Sequence, residues 1–166
     1  NNNKVILSTY AVPFELNKEN IKITHQNRPY KMRSEKFYNT KKVRYVPEAI
    51  TNTGTVPSRS YTISAHQLFT YGKWVHEIPY DEELYFEGEE DSLALRSYTN
   101  GWDIFCPHEI ICYHYYIRSG SKRHTDFDKT WYMKNDSSFE RFHKILNNNL
   151  SGKFGLGSIR TLEHYT

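Results

Sequence analysis

FEGEEDSLALRSYTNGWDIFCPHEIICYHYYIR, residues 86–118, is the stretch whose reading decides the fold. Gly88 permits a backbone conformation that side chains oppose. Glu89, Glu90 and Asp91 then fall in the first turn of a predicted helix, where free N–H groups favour negative charge. Asn100-Gly101 ends that helix, because glycine readily takes the left-handed conformation that closes many helices. A tight turn leads past Pro107 into residues 109–117, whose Ile, Cys and Tyr content suits a largely buried strand. On such a strand Ile110, Cys112, His114 and Tyr116 share one face, and Tyr113 and Tyr115 point the other way.

Outward from this stretch the pattern stays mixed. Residues 5–10, VILSTY, predict a buried strand that stops before Pro13. Short strands are expected at 21–24 and 43–46, separated by the turn-prone Asn27-Arg28-Pro29 and Asn52-Thr53-Gly54. Residues 60–69 read as one strand entering the core, and 75–79 as an extended segment. Downstream, 119–129 read as a basic, polar surface loop. Ser137 and Glu140 have capping-box spacing ahead of Phe142, Ile145, Leu146 and Leu150 at helical intervals. Gly152 is expected to stop that helix, and Ser158 to cap a last one over 159–165. The expectation is one α/β domain spanning 1–166, with 136–166 as a helical C-terminal extension.

Composition narrows the function. The chain has 166 residues, enough for one substantial core. A net charge of +3 with 25% charged residues gives no electrostatic case for a nucleic-acid or membrane partner. Lys31, Arg33, Lys36, Lys41, Lys42 and Arg44, interleaved with Tyr30, Phe37, Tyr38 and Tyr45, read as a solvated face. The rival reading, a nucleic-acid surface, requires affinity that falls steeply with salt. Cys106 and Cys112 are too few for a disulfide framework and are expected to be reduced. The sequence has no C-x-x-C pair and no histidine cluster at ligand spacing, which argues against zinc. No apolar run approaches the roughly 20 residues of a membrane span, and no signal-peptide layout is present, so a soluble, cytoplasmic protein is expected. Aromatic residues reach 16%, and their flat faces suit sugars as well as cores.

A family resemblance adds to this. Residues 5–10 (VILSTY), 64–69 (SAHQLF), 78–81 (IPYD), 86–90 (FEGEE) and 96–103 (RSYTNGWD), with His114, Arg118 and the tail FGLGSIRTL, stand in an order similar to that of a glycosyltransferase family. It is the N-acetylglucosaminyltransferase family typified by cytoplasmic enzymes that modify hydroxyproline on polypeptides. The helix and histidine strand also resemble, more distantly, those of polypeptide N-acetylgalactosaminyltransferases. The resemblance implies a GT-A fold, a Rossmann-like α/β architecture that binds a UDP-sugar with Mn²⁺ or Mg²⁺. It implies a late histidine on the metal, matched here by His114, and an early Asp-x-Asp or Asp-x-His motif upstream of Val5. The 166 residues are therefore expected to be the C-terminal, acceptor-side portion of such an enzyme, with mixed sheet and flanking helices.

The expected function is metal-dependent transfer of N-acetylglucosamine from UDP-GlcNAc to a hydroxyl of protein hydroxyproline or a glycan, with retention as the resemblance implies. The alternative is a non-catalytic carbohydrate- or protein-binding module of the same fold. The expected partners are a UDP-sugar donor and a protein or glycan acceptor, with no nucleic acid and no membrane. Glu89 and Glu90 are the candidate catalytic acids, held ionised by the helix start and placed to accept hydrogen bonds from sugar hydroxyls, although crowding by Glu87 and Asp91 acts to raise one pKa. Arg96, on the same helical face as Glu89, is a candidate to orient it, and Trp102 a candidate stacking platform. Arg118, with Lys122 and Arg123, is a candidate for diphosphate oxygens. His114 is the candidate metal ligand, and His108 a weaker one. Asp126-Phe127-Asp128 spells Asp-x-Asp but follows a polar loop rather than a buried strand, and reads as surface.

Overall fold

The structure of the chain, a computed structural model, describes residues 3–24, 26–38, 42–51, 54–117 and 120–165. The N-terminal apolar run forms two strands in succession, β1 (Val5–Ser8) and β2 (Val12–Leu16). β3 (Lys22–Ile23) follows a turn in which the Asn17 carboxamide accepts the amides of Glu19 and Ile21. The basic and aromatic stretch folds into a long antiparallel hairpin of β4 (Tyr30–Tyr38) and β5 (Lys42–Ala49). Lys31 and Arg33 both reach Glu48 across it, so part of its charge is neutralised internally.

Residues 60–69, expected as one strand, are instead divided among the end of β6 (Ser58–Ser60), the start of β7 (Leu68–Thr70) and the segment joining them, which holds a turn in which the Gln67 amide bonds the Ser64 carbonyl. Of the segment expected to be extended, 75–79, residues 75–77 belong to α1 (Lys73–Glu77), whose buried Trp74 donates its indole N–H to Ser97 at 2.9 Å. That tertiary anchor outweighs the weak local preference. α2 (Glu89–Thr99) has the predicted limits: Gly88 precedes it at φ 89°, and Asn100 and Gly101, the latter at φ 84°, close it. β8 (Asp103–Cys106) follows where only a turn is expected, and the strand expected over 109–117 narrows to β9 (Tyr113–Tyr115).

β1 runs parallel to β8 and antiparallel to β7, in a mixed sheet ordered β6-β8-β1-β7. β2 pairs in parallel with β9, with β3 on its other side. Parallel pairing demands a long crossover. α2 lies on that crossover and packs Ala94 into a core with Ile6, Ile63, Trp74, Trp102 and Ile104. The architecture is α/β, with mixed sheets and flanking helices.

After α3 (His124–Phe127) comes α4 (Trp131–Leu146), which begins well before the expected Ser137. Ser137 lies within α4 rather than at its start, and the neighbouring Ser138 is buried in mid-helix, where its hydroxyl accepts the Tyr85 amide at 2.5 Å and so holds an adjacent loop. Asp128 serves the start instead, accepting from both the amide and the hydroxyl of Thr130. The helix ends at Asn147 rather than at Gly152, and the expected terminal helix is a single 3-10 turn, Leu162–His164. Phe142 and Ile145 of α4 pack on Leu84 and Leu95, and Tyr165 of the tail touches both cores. Each large apolar side chain fully buried here contributes about 1.5–3 kcal/mol. Among the described residues no helix is long and apolar enough to cross a membrane.

Candidate active site

Gly88 is the hinge of the site. Its backbone is left-handed, which favours glycine, and a Cβ there would sit 3.3 Å from the Phe142 Cβ, a tight contact that adds to the preference. The turn it makes opens the start of α2 onto a cleft of about 490 Å³. Glu87, Glu89, Glu90 and Asp91 line the cleft with Phe86, His66, Phe139 and Phe142, while Met32 and Tyr45 reach it from the hairpin. The volume falls in the range of about 300–1,000 Å³ typical of small-ligand sites.

Burial sets the protonation of these acids. Glu89 is pushed up to about 7 by burial first, with Glu90, Asp91 and Glu87 adding repulsion and a backbone N–H at the helix start opposing. Asp91 is pushed up to about 6, again by burial, against a hydrogen bond from the Tyr45 hydroxyl. Burial also raises Glu90, although the Ala65 amide donates to its Oε1 at 2.6 Å. Tyr45 is itself raised by burial and by the neighbouring Asp91 charge. Of the two opposed effects expected here, ionisation favoured by the helix start and a pKa raised by crowding, the rise prevails at Glu89, with burial its larger cause. Desolvation outweighs the terminus, and Glu89 titrates near neutrality.

His66 joins the cleft to a second cluster. The Ala11 amide donates to its Nδ1 at 3.4 Å, which leaves the proton on Nε2, facing the Tyr116 hydroxyl at 3.4 Å. Tyr116 in turn bonds Tyr10. The His114 ring lies 5.2 Å from His66 and 4.2 Å from Tyr116, and its Nδ1 is buried without a hydrogen-bond partner. Burial, and then His114, lower the pKa of His66 and favour its neutral form. The alternation holds, with His114 half-buried and Tyr113 and Tyr115 facing out, Tyr113 beneath Lys22 and Tyr115 against Phe14, but the strand is not largely buried as expected: Ile111, Tyr113, Tyr115 and Ile117 are all exposed. Among the described residues no three His, Cys, Asp or Glu side chains are grouped to hold a metal ion.

A cleft of carboxylates beside an imidazole pair is open to several chemistries, and comparison with known proteins gives the family of the chain. The family model described as Glycosyltransferase (GlcNAc) matches residues 1–158. The chain belongs to that family. Among curated proteins and solved structures, none matches it. Family membership makes the protein a transferase of glycosyl groups, with a sugar donor and an acceptor in general terms.

For this glycosyltransferase the structure brings Glu89 and Glu90 together in the cleft and places His114 in the adjoining cluster. The other expected residues are placed differently. Trp102 is completely buried, with its indole N–H on Glu77 at 2.9 Å and the ammonium groups of Lys4 and Lys73 over its ring, so it offers no face to a sugar. Arg96 turns away from Glu89. Its guanidinium is buried, donates to the Lys153 carbonyl at 2.8 Å and lies over Phe154, near Asp81 and Arg141. Arg118 lies outside the described residues. His108 contacts Glu109, and Lys122 lies over Phe127. Asp126 accepts the Arg123 amide, while Asp128 binds Thr130 and Lys134, the surface role the sequence predicts for the pair.

Two residues escaped the sequence reading. His66 stood only as one letter in SAHQLF, because nothing local says that it will face His114, 48 positions on. Phe86 opened the motif as an ordinary aromatic, yet it is 62% exposed at the cleft.

Proposed function

We propose that this chain is the acceptor-side portion of a GT-A glycosyltransferase that moves N-acetylglucosamine from UDP-GlcNAc to a hydroxyl of protein hydroxyproline or a glycan. The observation that carries the reading is the carboxylate-lined cleft at the start of α2 in a chain of the glycosyltransferase (GlcNAc) family. Four carboxylates around one cleft repel a diphosphate and accept hydrogen bonds from hydroxyl and amide groups. The cleft therefore takes the sugar or the acceptor, and the diphosphate lies outside it. Glu90, fixed by the Ala65 amide, accepts from a sugar hydroxyl. Glu89, titrating near 7, both accepts and donates at neutral pH, which suits a group that must follow charge developing on the sugar.

His114 is the residue we assign to a divalent cation on the diphosphate. Its buried, unpartnered Nδ1 is a group in need of a ligand or a polar partner, and one imidazole suits Mn²⁺ or Mg²⁺ whose remaining ligands are oxygens. When bound, such an ion neutralises charge on the departing diphosphate. The neutral His66 beside it adds no competing positive charge.

The test is turnover and binding of UDP-GlcNAc with and without Mn²⁺, for the chain and its Glu90→Gln and His114→Ala variants. The expected result is metal-dependent turnover, reduced about 10²-fold or more by Glu90→Gln and lost in His114→Ala together with the Mn²⁺ requirement. Failure of the chain to bind UDP-GlcNAc under any condition rejects it as a transferase in its own right.

A further inference from the structure

One tight turn serves both parts of the site. In residues 64–67 the Gln67 amide returns to the Ser64 carbonyl and the His66 amide to the Ser64 hydroxyl, which fixes the residues between them. Ala65 gives its amide to Glu90 in the cleft, and His66 turns its ring toward His114. Hydrogen bonds in that second cluster run in one direction. With the Ala11 amide on its Nδ1, His66 carries its proton on Nε2 and gives it to the Tyr116 hydroxyl. A phenol has a single proton of its own, and that of Tyr116 is held by Tyr10, whose ring lies nearly parallel at 6.1 Å. None is left for His114, although the Tyr116 and His114 rings are 4.2 Å apart. Buried polar atoms nearly always find a partner, yet the His114 Nδ1 has none. Its ring is not loose, since it packs against both His66 and Tyr116. A nitrogen fixed in place and kept unsatisfied is what a ligand site needs before its ligand arrives.

We infer that His66 is a positioning residue: by holding the Tyr116 hydroxyl on Tyr10, it keeps the His114 Nδ1 unclaimed for a divalent cation. The inference rests on the metal role proposed for His114 and deepens it. Without the His66 donor, the Tyr116 hydroxyl is released to turn its proton to His114 and satisfy the nitrogen that the cation needs. Glutamine at 66 keeps an N–H donor for Tyr116, whereas phenylalanine fills the space and donates nothing. Because Ala65 holds Glu90 from the same turn, one backbone segment sets both the carboxylate of the cleft and the nitrogen beside it.

NMR of the histidine rings, with Mn²⁺ as the probe and His114→Ala to identify the His114 signals, tests this on the chain, His66→Phe, His66→Gln and the double variant His66→Phe/Tyr116→Phe. In the metal-free chain, long-range ¹H–¹⁵N spectra are expected to show His66 in the Nε2–H form. The Nδ1–H form overturns the inference, whatever the variants do. Added Mn²⁺ is expected to broaden the His114 signals of the parent. His66→Phe should need about 10-fold or more Mn²⁺ for the same broadening, and His66→Gln should behave as the parent. The double variant, with no hydroxyl left to compete for the nitrogen, should recover, which a merely structural role for His66 does not produce. If His66→Phe broadens like the parent, or the double variant does not recover, His66 does not act through Tyr116 and the inference fails while His114 keeps its metal. If Mn²⁺ leaves His114 sharp in the parent, the metal role itself falls and His66 loses its part in it.

Discussion

Two groups of acids near helix starts have opposite fates in this molecule. Glu89 and Asp91, in the first turn of α2, are driven up to about 7 and about 6. Asp128, just before α4, is held down at about 2 by Lys134 at 2.5 Å and by the hydroxyl and amide of Thr130. The residue chemistry and the helix field are alike, so neither explains the difference. Burial without a cation raises one group, and hydrogen bonds with a cation in water lower the other. Asp81 is a third case, buried like the first group and partnered like the second, with Arg141 Nε at 2.7 Å.

That comparison can be broken first at Asp81. Arg141→Met should cost about 3 kcal/mol in urea unfolding, the low end of the range for stranding a buried charge, because the Arg96 guanidinium still faces Asp81. A loss well under 1 kcal/mol would mean that Asp81 does not depend on its partner. The pH dependence sharpens the cleft side. Folded Glu89 keeps its proton up to about pH 7, whereas the unfolded chain releases it near 4.5. Between these values the folded state binds more protons, so stability falls as pH rises. Asp91 acts with the same sign between 3.8 and about 6. The melting temperature is expected to drop by several degrees from pH 5 to pH 8, and Glu89→Gln should flatten that slope. An unchanged slope would assign the pH dependence elsewhere. The smallest effect belongs to Asp128→Asn. Its pair with Lys134 is exposed and screened by salt, so turnover should stay unchanged and the melting temperature should shift within error. A marked loss of turnover would return Asp126-Phe127-Asp128 to the catalytic machinery.

The legible parts of the site were those with local causes. The limits of α2 follow from Gly88, Asn100 and Gly101, which act on their own backbone, and the outward Tyr113 and Tyr115 follow from strand alternation. Asp128 was readable as surface because its partners, Thr130 and Lys134, lie within six residues of it. β8, by contrast, is four residues that pair with β1 from nearly one hundred positions away, and no short pattern announces such pairing. α1 was lost for the same reason, since Trp74 is anchored by Ser97.

By itself the sequence determined which chemistry is available: an acidic helix start behind a glycine, a histidine on the inner face of a strand, and a family pattern running through both. Only the tertiary structure decided what each group does. It buried Trp102 under two lysines, turned Arg96 to the Lys153 carbonyl, joined His66 to His114, and left Phe86 exposed in a strained turn. The physical reason is range. Backbone conformation and periodicity are set within a few residues, whereas desolvation and ring placement are set by whatever the fold brings alongside. In this cleft that includes a hairpin some fifty positions upstream, with Tyr45 on Asp91.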